Sequence, residues 1–202
     1  MKIVGLCGGS GSGKGAVGEL FLKRGVPVID TDAVYHELTS APSECLSELV
    51  SVFGESVIDE NGALNRRELG KIVFAPGAAD MLAQLNSITH KHILNSTRER
   101  LHQFSDQGAK MAVVDAPLLF ESGFSAECDV IISVLAEKDT RIERIMMRDR
   151  IDRQSAERRI ASQLDDKFLI RRSDFVIRNN GTFSELSCEF EKIFKIINTN
   201  DL

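Results

Sequence analysis

The 202-residue sequence contains no tryptophan, one tyrosine and only four cysteines. The cysteines, Cys7, Cys45, Cys128 and Cys188, are far apart and form no C-x-x-C pair. This spacing favours reduced core thiols over a disulfide framework or a zinc site. No apolar run approaches the roughly 18 residues that a membrane-spanning helix requires. The N-terminus has no long apolar segment followed by a cleavage site, so we interpret it as the first strand of a cytoplasmic protein.

Excess positive charge is also missing, because the formal net charge is −5. This balance argues against general nucleic-acid binding. Residues 138–159 nevertheless carry eight basic and five acidic side chains, which suggests a small polyanionic ligand rather than a polymer. His90 and His92 resemble a metal-binding pair. An i,i+2 pair diverges on a helix, however, and no further ligand stands at metal spacing, so we expect no metal there.

The chain is 43% hydrophobic, and its length favours one α/β unit with insertions over two independent domains. Five short apolar runs predict buried strands, and helical patterns separate them. This alternation indicates a mostly parallel sheet with helical connections. The predicted strands are Lys2–Cys7, Val26–Ile29, Met111–Val114, Asp129–Leu135 and Phe175–Ile177.

Two helical insertions interrupt this pattern. The first lies between the second and third strands, where the predicted helices are Cys45–Phe53, Arg66–Phe74 and Ala79–Phe104. The second is the arginine-rich segment between the fourth and fifth strands. We therefore predict a nucleotide-binding core of residues 1–32, 107–137 and 160–202, with insertions at 33–106 and 138–159.

The stretch GGSGSGK, which begins at Gly8, nearly completes the phosphate-binding pattern G-x-x-x-x-G-K-[ST]. It follows an apolar strand and opens a helix, so backbone amides and a helix N-terminus would cradle a polyphosphate. Lys14 would bridge the β- and γ-phosphates, whereas the alternative is a glycine-rich turn with an incidental lysine. Gly15 stands where a Ser or Thr hydroxyl should hold Mg²⁺. The candidate nucleotide-binding residues are Gly9, Gly11, Ser12, Gly13, Lys14, Gly15 and Ala16.

Three acidic residues follow strands that end at the same edge of the predicted sheet. Asp30 and Asp32 close the second strand, where i and i+2 side chains of an extended segment point to one side. One carboxylate would orient or deprotonate an attacking hydroxyl and the other would hold Mg²⁺ waters; the alternative is a helix N-cap, which Asp32 suits. Asp115 ends the third strand, where Walker-B acids hold Mg²⁺. Leu118, just beyond it, belongs either to the core or to a substrate wall.

The arginine-rich segment places Arg141, Arg144 and Arg148 on one face of a predicted helix, at i, i+3 and i+7. Guanidinium groups over a triphosphate would stabilise the charge of a transition state. The alternative is a solvated face that nearby acidic residues neutralise. The spacing fits both interpretations.

Seven stretches, taken together and in order, resemble the dephospho-CoA kinase family over most of the chain. They are GLCGGSGSGK, VIDTDAVYHEL, GALNRRELGKIVF, LNSITHKHI, VVDAPLLFESGF, RIERIMMRDR with RRIASQ, and SDFVIRNNG. The resemblance implies Mg²⁺-dependent transfer of the ATP γ-phosphate to the ribose 3′-hydroxyl of dephospho-CoA. It also implies a P-loop kinase-type three-layer α/β fold with a parallel five-stranded sheet. Residues 33–106 would bind the acceptor, and residues 138–159 would form a mobile lid.

With the patterns above, this resemblance suggests a role for each candidate residue. Lys14, Asp32 and Arg144 would be catalytic, and Asp32 and Asp115 would hold the metal. Acceptor-binding residues would be Asp32, Arg66, His90 and Leu118, and further nucleotide-binding residues would be Arg144, Arg148, Asn179 and Gly181. Gln163 matches the glutamine that ends the family's lid. The chain departs from the family pattern at four positions. It has Gly15 where the family usually has Ser, Asn65 where it has Asp, Lys91 where it has Pro, and Arg141 where Gln is common.

Two alternatives stay open at this point. One is a P-loop kinase of similar fold that acts on a nucleoside monophosphate or another small molecule. The other is a degenerate ATP-binding switch that lacks turnover. In each case we expect small-molecule ligands and no nucleic-acid or membrane partner. The sequence leaves the oligomeric state open and favours a monomer.

Overall fold

The structure is a computed structural model that describes residues 1–199. Its strands are β1 (Lys2–Cys7), β2 (Val28–Asp30), β3 (Met111–Asp115), β4 (Val130–Leu135) and β5 (Phe175–Arg178). They form one parallel sheet in the order β2-β3-β1-β4-β5. The five predicted strands and the predicted fold class are confirmed, although β2 begins two residues later than expected. Because β1 is central and is bonded to both β3 and β4, the residues that follow it emerge in the middle of the sheet edge.

Nine α-helices lie between and after the strands within the described residues. They are α1 (Lys14–Lys23), α2 (Thr31–Ser40), α3 (Glu44–Phe53), α4 (Arg66–Val73), α5 (Ala79–Asp106), α6 (Lys138–Asp149), α7 (Arg153–Ala161), α8 (Asp166–Arg172) and α9 (Phe183–Asn198). Short 3₁₀ turns lie at Glu55–Val57 and Phe124–Glu127. In the part of the chain that is described, none of the helices has the length and hydropathy needed to cross a membrane.

The chain divides into two compact units, Met1–Ile29 with Phe104–Leu202 (the core unit) and Asp30–Gln103 (the helical unit). In the core unit, α1 and α9 cover the sheet with apolar faces, because residues three and four apart recur on one side of each helix. Phe21 of α1 meets Phe190 of α9 edge to face, with ring centroids 4.8 Å apart. This packing fixes α1, and therefore the loop that precedes it, against the sheet.

The helical unit has an apolar core of its own, drawn from α3, α4, α5 and the 3₁₀ turn after α3. The predicted helices of this unit are confirmed within two residues at each end. Beyond Asp30, the last residue of β2, its described β structure is a single bridge between Ile58 and Leu64. Asn65 caps α4 by accepting a hydrogen bond from the N–H of Glu68 at 3.2 Å. The cap fixes the first turn of α4, which begins with Arg66.

The arginine-rich segment folds as a pair of helices, α6 and α7. Ile142 and Ile145 of α6 pack on Ala156 of α7, and all three are fully buried. Between the helices, Arg150 adopts a left-handed conformation with φ 53°, which ends α6 and reverses the chain. The apolar face predicted for α6 is therefore used against α7, and the arginine face is left for other contacts.

Candidate active site

The phosphate loop, Gly8–Lys14, joins the end of β1 to the start of α1. Gly13 is the N-cap of α1 with φ 91°, a left-handed conformation that glycine adopts without steric cost. A Cβ atom on Gly13 would overlap the side-chain amide of Asn179, and one on Gly11 would come within 2.6 Å of the backbone oxygen of Arg141. Close neighbours on the outer surface of the loop therefore require glycine at both positions.

Lys14 and Asp115 form an ion pair between Nζ and Oδ1. Lys14 is the first residue of α1, and Asp115 is the last residue of β3, the strand beside β1. Their side chains are 16% and 9% exposed, so water screens the pair only weakly. The structure thus brings together the predicted phosphate-binding cation and the predicted Mg²⁺ acid.

Arg144 and Asn179 contact the loop through its carbonyl groups. Arg144 donates to the oxygens of Gly11 and Ser12 at 3.2 and 3.4 Å, and Asn179 Nδ2 donates to the Ser12 oxygen at 2.8 Å. Asn179 is buried, and its own N–H donates to the carbonyl of Leu135 at the end of β4. Both side chains therefore hold the shape of the loop from outside.

Arg148, predicted to act beside Arg144, pairs with Asp149 instead. Its Nε and guanidinium nitrogens donate to the two carboxylate oxygens at 2.8 and 3.0 Å, and its side chain is 61% exposed. Hydrogen bonds from Arg148 and then from Arg159 lower the pKa of Asp149 to about 2. The arginines of the predicted face therefore have different surroundings, since Arg144 contacts the loop while Arg148 lies at the surface.

The loop has a side-chain hydroxyl that is available to donate a hydrogen bond to an anion. Among the described residues, Ser12 Oγ is one of two buried side-chain oxygens that have no hydrogen-bond partner. A buried hydroxyl without a partner is unfavourable, and a phosphate oxygen is the kind of acceptor that it lacks. Ser12 therefore fits the binding of a polyphosphate by this loop.

The carboxylates fit a metal ion that arrives with its nucleotide. Within residues 1–199, no group of three or more His, Cys, Asp and Glu side chains is placed to hold a metal ion. Mg²⁺ in nucleotide sites is commonly bound by one or two carboxylates together with phosphates and waters. Asp115, beside Lys14, is such a carboxylate.

The expectation that Asp30 and Asp32 extend from one strand to the same side is wrong. The strand β2 ends at Asp30, and α2 begins at Thr31, so Asp32 lies in the first turn of a helix. The N-cap is Asp30, whose Oδ1 accepts hydrogen bonds from the N–H groups of Asp32 and Ala33 at 2.9 and 3.2 Å. Asp30 therefore has a structural role, while the exposed Asp32 carboxylate is not used as the cap.

In the helical unit, Arg66 forms part of the wall of an open cavity of about 440 Å³. Its guanidinium donates to His36 Nδ1 and to Thr39 Oγ1, and it lies 5.6 Å from the ring centroid of Tyr35. These three partners come from α2, within the stretch DAVYHELT. Sequence reasoning did not single them out, although their i, i+1 and i+4 spacing places them within one turn of the helix.

His90 and His92 of α5 differ in their surroundings. His92 Nε2 bonds with Glu48 Oε2 at 2.8 Å, and the same oxygen accepts a hydrogen bond from Lys91. These contacts, with that from Lys91 the larger, lower the pKa of Glu48. His90, the predicted acceptor ligand, is half-buried in the same helix. Lys91 and His92 therefore connect α5 to α3.

Two further candidates lie on loops of the core unit. Leu118 is 47% exposed whereas the adjacent Leu119 is fully buried, so Leu118 is not a core residue and its side chain is accessible to a ligand. At Gly181 a Cβ atom would overlap the carboxylate of Glu185, which accepts from the N–H of Thr182 at 2.7 Å in the capping box of α9. The Glu185 carboxylate of the capping box therefore occupies the space beside Gly181.

Three features define the class of this protein as a P-loop phosphotransferase. They are the phosphate loop between β1 and α1, Asp115 at the end of β3, and the Arg144 guanidinium against the loop. A solved shikimate kinase from Acinetobacter baumannii, in complex with shikimate, aligns over 100% of this chain and 96% of its own. Its TM-score is 0.60 at 14% sequence identity, which establishes the fold alone.

More similar proteins share one name. The sequence model of dephospho-CoA kinases matches residues 2–185. The dephospho-CoA kinases of Corynebacterium efficiens and Fusobacterium nucleatum are each 35% identical over 98% of this chain and over 98% and 99% of their own. The solved dephospho-CoA kinase of Campylobacter jejuni aligns over 100% of both chains, with 25% identity and a TM-score of 0.73. The chain belongs to the dephospho-CoA kinase family.

Proposed function

We propose that the protein transfers the γ-phosphoryl group of ATP to the ribose 3′-hydroxyl of dephospho-CoA, the final step of CoA synthesis. Family membership over the whole chain supports this reaction. The observation that supports phosphoryl transfer most directly is the Lys14–Asp115 ion pair beside the glycine loop. The carbonyls of this loop accept hydrogen bonds from Arg144 and Asn179 on its outer side. A loop of this kind is organised for a polyphosphate before the nucleotide arrives.

The chain's own groups would bind the triphosphate. The amides of the loop and of the N-terminus of α1 would donate hydrogen bonds to the phosphates, and Lys14 would exchange its bond to Asp115 for the β- and γ-phosphates. Arg144 would contribute positive charge beside the transferred group. Arg148, Asn179 and Gly181 would complete the nucleotide site, as would the backbone from Gly9 to Ala16.

Asp115 and Asp32 would hold Mg²⁺. When bound, the metal ion neutralises charge on the β- and γ-phosphates. Because the exposed Asp32 is not the helix cap, its carboxylate is also the candidate acid/base group. It would accept the proton of the 3′-hydroxyl as the new O–P bond forms and the bond to ADP breaks.

The acceptor would be bound by Arg66, His90 and Leu118. The Arg66 guanidinium lies at the wall of a cavity and suits a phosphate group of the acceptor. We further propose residues 33–106 as the acceptor-binding region and residues 138–159 as the lid. A cytoplasmic location and a monomeric state stay predictions.

An ADP-release assay with a panel of acceptors tests the reaction. We expect Mg²⁺-dependent ADP release with dephospho-CoA, formation of a product heavier by one phosphate, and little release with nucleoside monophosphates. The variant Lys14→Ala should remove this activity, and Lys192→Ala, the same change at an exposed lysine of α9, should retain it. Robust release with a nucleoside monophosphate but none with dephospho-CoA would assign the protein to another kinase. No release with any acceptor, despite ATP binding, would indicate a degenerate binder.

A further inference from the structure

Arg141 is a buried cation beside the phosphate loop. It lies on the same face of α6 as Arg144 and Arg148, yet its side chain is only 7% exposed. Burial lowers the pKa of its guanidinium, and the nearby Asp166 partly opposes this effect. A buried guanidinium is unfavourable unless its donors are bonded, so its contacts have to be specific.

Those contacts converge on a single loop residue, Ser10. Arg141 Nε donates to the Ser10 carbonyl oxygen at 2.9 Å, and another guanidinium nitrogen donates to Gln163 Oε1 at 2.9 Å. The same Gln163 oxygen accepts the Ser10 N–H at 3.0 Å, and Gln163 Nε2 donates to Ser10 Oγ at 3.0 Å. The N–H, carbonyl and hydroxyl of Ser10 are therefore all bonded by this one pair of side chains.

The fit around these bonds is close on both sides of Ser10. A Cβ atom on Gly9 would overlap the Arg141 guanidinium, and one on Gly11 would come within 2.6 Å of the Arg141 backbone oxygen. Asp166 lies 3.5 Å from Arg141 and partly balances its charge. Arg141 therefore occupies the outer face of the Gly9–Gly11 turn and leaves no space for the turn to move outward.

We propose that Arg141 is a positioning residue for nucleotide binding, and that Ser10, Arg141 and Gln163 form a clamp that presents the loop to the phosphates. In a trans peptide the C=O and the following N–H point in opposite directions. Binding the Ser10 carbonyl from outside therefore directs the Gly11 N–H toward the other side of the loop. The inference rests on the proposed nucleotide-binding role of this loop.

Arg141 acts through the loop and not by touching the substrate. Its Nε and one terminal nitrogen are already used by Ser10 and Gln163, and the side chain is nearly inaccessible. Removal of Arg141 should therefore weaken binding of the nucleotide before any acceptor is present. A residue that only anchors α6 would change thermal stability instead.

Calorimetric titration of Mg²⁺–ADP and of ATP, without acceptor, tests the clamp. We expect Arg141→Met to weaken nucleotide binding by about 10- to 100-fold, because it removes charge-assisted hydrogen bonds to the loop. Arg24→Met, which removes an exposed arginine paired with Glu191 outside the loop and the lid, should stay within about twofold. Unchanged affinity in Arg141→Met, with a lowered melting temperature, would overturn the proposal.

Two further variants complete the test. Gln163→Met should weaken binding, and the double variant with Arg141→Met should lose less than the product of the single effects, because both belong to one clamp. Fully multiplicative effects would contradict the clamp. If Arg141→Met fails to fold, Arg141→Lys is the fallback variant, because it keeps the charge but its single nitrogen cannot reproduce the forked contact. We expect it to lose affinity by about fivefold. An unchanged affinity would overturn the proposal. Absence of nucleotide binding by the wild type would instead refute the proposed function.

Discussion

Gly15, which replaces the metal-binding hydroxyl of the phosphate-loop pattern, gives a direct test of how this loop recruits Mg²⁺. It is the second residue of α1 and is exposed, and no atom lies within 4 Å of the place that a Cβ atom would occupy. Both Gly15→Ser and Gly15→Ala should therefore fit without rearrangement. Glycine in a helix is about 1 kcal/mol less favourable than alanine, so Gly15→Ala should stabilise the protein by up to that amount and Gly15→Ser by about half of it.

The two variants separate helix stability from metal binding. The loop amides and Lys14 need no hydroxyl at position 15, so the wild type should bind ATP and turn over. The Gly15→Ser hydroxyl supplies one Mg²⁺ ligand, worth about 1–2 kcal/mol, and should lower the half-saturating free Mg²⁺ by roughly 5- to 30-fold. At saturating metal, kcat should stay within about tenfold of the wild type. Gly15→Ala, which has no hydroxyl, should keep the Mg²⁺ requirement of the wild type.

The assay is ADP release with dephospho-CoA, titrated with free Mg²⁺ at fixed ATP, with direct Mn²⁺ binding as a readout independent of turnover. Coincident titrations of the wild type and Gly15→Ser would show that the hydroxyl has no role here and that our account of the metal is wrong. A wild type that is inactive at every Mg²⁺ concentration, but is activated by Gly15→Ser, would make the natural protein a degenerate binder.

Three other predictions follow from the described contacts. Asp32→Asn should lower kcat by roughly 10²–10⁴ with little change in ATP binding, because the carboxylate serves the acceptor hydroxyl. Loss of ATP binding with turnover retained at saturation would assign Asp32 to the metal or nucleotide site alone. Glu48→Gln should lower the melting temperature near neutral pH but not in acid that protonates the carboxylate. A carboxylate whose pKa is lowered in the fold stabilises the fold above its unfolded pKa of 4.5, and this effect is lost as the pH falls through the lowered pKa. A difference that persists in acid would refute the ion-pair explanation. Burial raises the pKa of Cys128 to about 12, so a thiol reagent should modify only the exposed Cys188 in the native protein, and faster labelling of a second thiol would contradict the structure.

The elements that sequence predicts well are those whose signals are local. A buried parallel strand needs only a short apolar run, and β1 occurs as predicted from Lys2 to Cys7. The phosphate loop is likewise specified by its own glycines and by the strand and helix on either side. Gly25 follows the end of α1 with φ 74°, the left-handed conformation in which a glycine commonly ends a helix.

The prediction for the end of the second strand failed because two nearby residues suit the same role. Both Asp30 and Asp32 suit an N-cap by composition, and the pattern cannot tell which carboxylate turns back onto the helix. The capping bonds to Asp30 show that the helix begins one residue after the strand ends. Asp32 is therefore helical and not extended. The hydrogen bonds that decide this are local, but residue composition alone does not predict them.

Long-range contacts limited the prediction in the arginine-rich segment. Helical spacing places Arg141, Arg144 and Arg148 on one face, but it does not show which part of that face meets another element. The decisive bonds join Ser10 to Gln163 across 153 positions of sequence, and Arg141 becomes buried where the two meet. No spacing rule reports such a contact, because it depends on how the sheet places β1 relative to α6.

The loop's shape and its metal contact therefore depend on different groups. Its carbonyls are bonded from outside by Arg141, Arg144 and Asn179, and none of these bonds involves position 15. The site of the missing hydroxyl is open, so its loss leaves those bonds intact. Because the anion-binding geometry is set by side chains far along the chain, a glycine at position 15 is compatible with an active kinase. Its expected effect is confined to the affinity for the metal ion.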